Sequence, residues 1–461
     1  MDVRSIEQVA ASPEHQGTVP VWWLFKPREM RAETLGGHLE LVSEFEVLGG
    51  GEVHPHSHPT FEFYYVLSGR RLMTIEEETR EMQSTACARS AATPRSAAWP
   101  SPWRCLAPRP STTRPNDGKR SMTMEKRFLY AGLAGDSDAG RFISHGLYRS
   151  ATVEGPWEPI GDRIHPQPEV RAIVTDAGRT GRVTVGTQRG VFRSEDHGES
   201  WRQLPAPDPG IAVWSLFNHP SEPDTLLAGL EPAAMLRSRD DGQTWQALSF
   251  DTRFPAVTEG PEMPKRVTGI AIDPRRPRTI YASIEIGGLL RSEDDGETWG
   301  CVTEGVYVNE DSVDLHAVSV SGKDSLLTVA TRVGAFQSED EGRRWRTLDI
   351  PMLRPRGTYC RAIARAADDP DRIYMGVGND FDGDVGALIT SGDGGGSWRP
   401  VSLPCPLKTT VFALAIDPRA PAGIACATKY GHVFASADAG ASWRMGKLPA
   451  GAGHVFALAV G

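Results

Sequence analysis

No apolar run in this chain of 461 residues approaches the roughly 18 consecutive residues that a membrane-spanning helix needs. The first residues, MDVRSIEQVAASPEHQG, lack the apolar core of a secretory signal. Basic charge is not in excess: the formal net charge is -9, which argues against nucleic acid or an anionic membrane as partner. Cysteines are few and scattered, at positions 87, 105, 301, 360, 405 and 426, without the spacing of a metal site or a disulfide framework. These absences point to a cytoplasmic protein with reduced thiols. Glycine and proline, in contrast, are abundant, as many short strands joined by turns require.

What the chain does have is repetition. The pattern Ser-x-Asp-x-Gly-x-Ser/Thr-Trp recurs as SEDHGESW (194–201), SRDDGQTW (238–245), SEDDGETW (292–299), SGDGGGSW (391–398) and SADAGASW (436–443). SEDEGRRW (338–345) departs at Arg344, and SATVEGPW (150–157) is an eroded copy that keeps Ser150 and Trp157. Successive Trp residues lie 44 to 54 positions apart, the length of one four-stranded blade. Around each box the order is constant: an inner strand A, strand B, strand C, the box as a turn, then strand D. The first unit starts at FLYAGL (128–133) with no A strand before it, and HVFALAV (454–460) is an A strand with no blade after it. Docking 454–460 into the first blade closes a ring of seven and removes the open edges. The sequence therefore predicts an all-β, seven-bladed β-propeller over 124–461.

These boxes resemble those of the BNR/Asp-box propellers, a group that includes sialidases, sortilin-type receptors and photosystem assembly factors. The resemblance covers almost three quarters of the chain. It implies that the box carboxylates Asp196, Asp240, Asp294, Asp340, Asp393 and Asp438 build turns, with Gly at positive φ and Trp packed between strands. A sialidase would also need an early Arg-Ile-Pro element, a three-arginine carboxylate clamp and a Tyr/Glu nucleophile pair. Asp162-Arg163-Ile164-His165 lacks the proline and follows the first box, and sialidases have six blades. Arg171, Arg361 and Tyr359 could mimic part of a clamp.

In a propeller the B–C and D–A connections share one face, and here they hold the long irregular segments 133–146, 249–266, 303–313, 349–359 and 378–386. Residues at the starts of A strands (Arg171, Trp214, His316, Arg361, Phe412) and just after B strands (Arg189, Glu231, Glu285, Arg332, Lys429) are expected near the channel mouth. With Tyr359, this mixture suits a small polar ligand, a glycan or a protein segment. Glu231, Glu285 and Asp380 are the carboxylates available for acid–base chemistry. Asp380, Asp382 and Asp384 alternate as in a Ca²⁺ loop, without the bidentate Glu that would complete one.

The N-terminal part is different. Gly50, His56, His58, Glu62 and Gly69 fit Gly-x5-His-x-His-x3-Glu-x6-Gly, the first motif of the cupins. His56 and His58 share one face of a strand, and with Glu62 they form a donor set for Fe, Mn, Ni or Zn. A second cupin motif is missing, so 1–82 is expected to be a partial cupin β-barrel. Residues 83–123 read as a disordered linker, or as a stretch out of frame or at a gene junction, because their Ala, Arg, Ser and Pro cannot build a core. The reading of function is a ligand- or protein-binding propeller. The alternatives are a glycoside hydrolase or lyase of the BNR class, or a metal-dependent cupin enzyme fused to a propeller.

Overall fold

The computed structural model describes residues 127–461 except 136–144, 209, 252–264, 304–305, 307–309 and 356, together with the backbone of a few strands before 127. Those early strands are a three-stranded antiparallel sheet (Ser12–Glu14, Val19–Phe25, Val42–Phe45) and, separately, a hairpin (Arg70–Ile75, Glu78–Gln83). His56, His58 and Glu62 lie outside the described residues, as does most of the segment 83–123.

From residue 129 onward the chain forms seven four-stranded antiparallel sheets among the described residues. Six are built from consecutive strands. The seventh takes its inner strand, His454–Val460, from the far end of the chain and pairs it with Leu129–Ala134, Leu147–Ser150 and Glu158–Pro159. His454 faces Ala134 and Val460 faces Leu129, so the first blade is closed by a strand more than 300 residues away. We number that blade 1. The inner strands of blades 2 to 7 are then Val170–Thr175, Ala212–Asn218, Val267–Asp273, Leu315–Val320, Tyr359–Arg365 and Val411–Ile416. Three of the seven A strands (315–320, 411–416 and 454–460) have the bounds the sequence predicts; that predicted at 267–272 runs one residue further, and those predicted at 169–174, 213–217 and 360–364 differ by one residue at each end.

The boxes are turns, and their chemistry explains their composition. In blade 2, Ser194 Oγ donates to Asp196 Oδ1 (2.7 Å) and accepts the Gly198 N–H (2.7 Å). Asp196 in turn accepts the Ser200 N–H at 2.9 Å and its hydroxyl at 2.6 Å. Gly198 sits at φ 91°, where a side chain would be strained, and His197 before it is also left-handed at φ 60°. The same bonds recur in blades 3, 4, 6 and 7. The hydroxyl and amides on Asp240, Asp294 and Asp438 pull those carboxyls down to about 2. In blade 5 Arg344 replaces the hydroxyl residue, and Asp340 keeps only the backbone N–H at 2.7 Å from that position.

Each box Trp packs into a separate core that fills the seam to the preceding blade. Trp201 joins Ile160 and Phe192 between blades 1 and 2, and Trp245 joins Leu204 and Leu216 between blades 2 and 3. Trp157 of the eroded box, 7% exposed, fills the seam between blades 7 and 1. Small residues on strand B let the next inner strand come close. A Cβ placed on Gly186 would lie 2.6 Å from Val213 Cγ1, and one on Gly229 would lie 2.6 Å from Val267 Cγ1.

Side chains just before the boxes latch neighbouring blades together. Arg149, Arg193 and Arg237 donate to the carbonyls of His197, Asp241 and Asp295 in the next box. In blade 5 Gln337 does the same, reaching Gly394 O at 2.7 Å. Box amides also donate to A–B connections, as from His197 N to Gly181 O at 2.8 Å, which places boxes and A–B connections on one face.

Candidate functional site

The channel is shaped by one irregularity repeated in every blade. Near its start, each inner strand carries one residue that the A–B register skips: Phe456, Arg171, Trp214, Thr268, His316, Arg361 and Phe412 for blades 1 to 7. A bulge of this kind leaves one residue unpaired and re-aims its side chain. Here the side chains turn to the axis. Trp214 of blade 3 meets Phe456 of blade 1 at right angles, 6.2 Å between centroids, bypassing blade 2. Phe456 meets Phe412 at 5.8 Å, also edge-on, so three rings form an aromatic floor.

Cations stand on this floor. Arg171 and Arg266 lie 4.6 and 4.1 Å from the Trp214 ring, and Arg361 lies 4.9 Å from that of Phe412. Thr268 and His316 instead bond to the next blade, donating to Leu315 O (2.6 Å) and Cys360 O (2.7 Å). Five of these seven channel residues are the ones expected from strand starts. Thr268 and Phe456 were not anticipated, although the same position in the other repeats marks them.

Above the floor, residues preceding A strands meet residues following B strands. Arg266 Nε faces Glu231 Oε2 at 3.0 Å and Glu285 Oε2 at 2.8 Å, so the two carboxylates share one guanidinium. Their side chains are 24% and 23% exposed, although the oxygens that face Arg266 are themselves buried. Beside them Asp314, His316 and Tyr359 are almost closed off, with His316 Nε2 3.5 Å from Asp314 Oδ1 and the His316 and Tyr359 rings 4.7 Å apart. Burial pushes the Glu285 carboxyl up, Asp314 adds to this, and Arg266, His316 and Arg361 do not cancel it. Burial opposes charge on Asp314 too, but there His316, Arg332 and Arg361 win and hold the carboxyl low. One acid is thus biased towards its protonated form beside one biased towards ionisation, an arrangement suited to proton donation.

Other expected residues do not join this cluster. Asp380 is half-exposed and faces Arg354 (3.5 Å) and Arg332 (4.0 Å) rather than Glu285. Lys429 is fully buried, ion-paired to Asp382 and 3.6 Å over the Phe381 ring. Asp384 accepts from Asn379 Nδ2 at 2.9 Å. The three alternating carboxylates therefore each take a separate partner, and among the described residues no group of three or more His, Cys, Asp or Glu is placed to hold a metal.

Arg189 is exposed, and the place equivalent to Lys429 belongs to Gln188, which accepts the Glu169 N–H at 2.8 Å. The expectation of Arg189 near the mouth fails by one residue, because the B strand of blade 2 ends at Thr187 and the turn is short. The partial sialidase clamp also fails: Arg171 is ion-paired to Glu169, and Tyr359 is 3% exposed with its phenol pushed up by burial.

Fold and site together define a seven-bladed all-β propeller with a charged, aromatic-floored channel on its loop face. Its likeness to known proteins runs in two directions. A probable oligoxyloglucan-reducing end-specific xyloglucanase of Neosartorya fischeri is 26% identical over 333 residues, 60% of this chain and 39% of that protein. The photosystem II assembly lipoprotein Ycf48 of Synechococcus sp. is 23% identical over 299 residues, 57% of this chain and 84% of that protein. Among solved structures, the GH74 enzyme of Niastella koreensis matches with a TM-score of 0.50 and 17% identity, over 60% of this chain and 45% of that one. The chain spans less than half the length of the xyloglucanase and of the GH74 enzyme. No family model matches it. Among the described residues no helix is long and apolar enough to cross a membrane.

Proposed function

We propose that this propeller is glycoside hydrolase-like and engages a glycan on its loop face, with Glu285 as proton donor and Glu231 as the carboxylate beside it. The observation that carries the reading is the Glu231–Arg266–Glu285 arrangement, two partly buried carboxylates on one arginine at the channel mouth. Because both reach the same nitrogen, their nearest oxygens are separated by at most the sum of 3.0 and 2.8 Å. Retaining glycosidases hold their two carboxyl groups about 5–5.5 Å apart. The xyloglucanase likeness supports the carbohydrate class, and favours it over a propeller that only binds proteins. Titrating the full chain with a panel of β-glucan, xyloglucan and glucuronoxylan oligosaccharides, while assaying new reducing ends, tests it. Binding by a panel member is expected, with any new reducing ends abolished in Glu285→Gln while binding persists. If no panel oligosaccharide binds, the reading is wrong.

A second reading rests on the other likeness. The matched region spans 84% of the Ycf48 relative, a photosystem II assembly lipoprotein. On that reading the loop face grips a protein segment, and Met352, Phe381, Val385 and Tyr430 are its exposed apolar contacts. Glycan titrations would then be silent, and peptide-array binding would be lost in Tyr430→Ala.

A further inference from the structure

Lys429 follows the B strand of blade 7, Ile424–Thr428, on the loop face, yet its side chain is 0% exposed. A lysine is almost never buried so fully unless it is paired. Among the described residues the carboxylate within ion-pair distance of its ammonium is Asp382. The Phe381 ring lies 3.6 Å from the ammonium, with Tyr430 and Phe412 at 5.6 and 5.7 Å. Asp382 and Phe381 both belong to the loop between Ile373–Gly378 and Gly386–Ser391 of blade 6, so a neighbouring blade's loop is what closes over Lys429.

That loop is bonded largely to itself. Asn379 N donates to Val385 O (3.1 Å) and Gly383 N to Asp380 O (3.2 Å), while the Asn379 side chain accepts the Val385 N–H (3.1 Å) and donates to Asp384 (2.9 Å). Its neck is the facing pair Gly378 and Gly386, fitted so closely to blade 7 that a Cβ on Gly378 would lie 1.8 Å from Thr410 Oγ1. Beyond the neck few ties hold it down. Thr410 Oγ1 donates to Asp380 O at 2.6 Å, Phe381 meets Phe412 edge-on at 5.4 Å, and Asp380 reaches Arg354 and Arg332 only at 3.5 and 4.0 Å. The Lys429–Asp382 pair is the remaining tie, and stripping water from an ammonium offsets much of what such a pair gains. Lifting the loop returns water to both charges, so the closed and lifted forms lie close in free energy.

We infer that residues 379–385 are a lid over the blade 7 side of the channel floor, latched by the Lys429–Asp382 ion pair and swinging at its glycine neck. Lifting it bares the Lys429 ammonium together with the Phe412 ring, which is otherwise 2% exposed. The lid is independent of which ligand the loop face takes.

The test is acylation of Lys429 by N-hydroxysuccinimidyl acetate and alkylation of Cys426 by iodoacetamide in the full chain, read by peptide mass spectrometry. Each rate is divided by that in the denatured chain. Cys426 lies three residues before Lys429 in the same blade and is also 0% exposed, but no loop covers it, so it reports opening of the blade itself. Local lifting predicts that Lys429 is protected at least roughly 100-fold less than Cys426. Asp382→Asn should speed Lys429 acylation a further roughly 10- to 100-fold, the worth of a hydrogen bond between charged groups. Phe381→Ala should also speed it, and Cys426 protection should stay at the parent level in both variants. Asp371→Asn, which removes the partner of Lys323 at an A–B connection, should leave Lys429 unchanged. Equal protection of Lys429 and Cys426, or an Asp382→Asn variant that acylates at the parent rate, would overturn the lid. Neither result bears on the glycan reading, because no ligand enters the measurement.

Discussion

Replacing Arg193 tests whether the inter-blade latches hold the ring. The Arg193 side chain is 3% exposed, and it donates to Asp241 O (2.8 Å), Asp241 Oδ1 (2.8 Å) and Thr184 Oγ1 (3.0 Å). In Arg193→Met the Asp241 carboxylate is not orphaned, because Arg182 and Arg179 remain at 2.7 and 3.2 Å. The loss therefore falls on the Asp241 carbonyl and the Thr184 hydroxyl. A buried polar group left without its partner costs about 1–3 kcal/mol, and two such groups, one with a charged donor, give about 2–4 kcal/mol. For a propeller of this size that is a fall in melting temperature of roughly 3–6 °C. The protein contains its own control. Gln337 occupies the equivalent place in blade 5 and serves Gly394 O at 2.7 Å and Thr328 Oγ1 at 3.0 Å. Arg193→Gln should consequently recover most of the loss and stay within about 1 kcal/mol of the parent. Differential scanning calorimetry of the three proteins decides the matter. A glutamine variant as unstable as the methionine one, or a methionine variant that melts with the parent, would refute the latch.

Three further outcomes are expected. Gly229→Ala should lower stability by about 1–3 kcal/mol by chemical denaturation, since its Cβ would lie 2.2 Å from Ser215 Oγ, and Gly229→Val should not yield folded protein. The depressed box carboxyls contribute stability above the unfolded Asp value near 4, and that contribution is lost as pH falls towards about 2. Thr298→Val removes the 2.6 Å hydroxyl bond to Asp294, so its acid transition should begin at higher pH in a thermal-melt series. Deleting 454–461 would uncover the strand Leu129–Ala134, and size-exclusion chromatography should show aggregates instead of monomer.

The architecture was legible because the repeat states it seven times: the boxes mark turns, the Trp intervals mark blades, and the unmatched strand at 454–460 marks closure. The site was legible only where it follows the repeat. Arg171, Trp214, His316, Arg361 and Phe412 all occupy one position of strand A, so finding the strand found the channel. Arg266 was missed because its role depends on Glu231 in the neighbouring blade and on Glu285, partners set by blade packing rather than by local pattern. Asp380 and Lys429 looked equivalent to the channel charges, yet the loop 378–386 folds over Lys429 and seals it beneath Phe381. A sequence shows that a loop is irregular, but not which side chain it covers.

The latches are not the same all the way round. Blades 1 to 4 place an arginine before the box serine and blade 5 a glutamine, whereas blades 6 and 7 have Thr390 and Ala435 there. Tyr374 compensates at the sixth seam by donating to Ala439 O at 2.8 Å. At the seventh, Ala435 has no donor and the Val153 carbonyl is taken by Trp157 of its own blade, so the seam is tied elsewhere, by Arg127 to Asp417 at 2.8 Å and Arg444 to Glu154 at 3.6 Å. A closed ring has no free end from which to fray, so the place where it first parts is set by its poorest joint. The seam without a box latch, between blades 7 and 1, is also the one that the returning strand closes. Opening there would let the whole propeller uncurl as a spring washer does, with six seams intact, before any single blade had come apart.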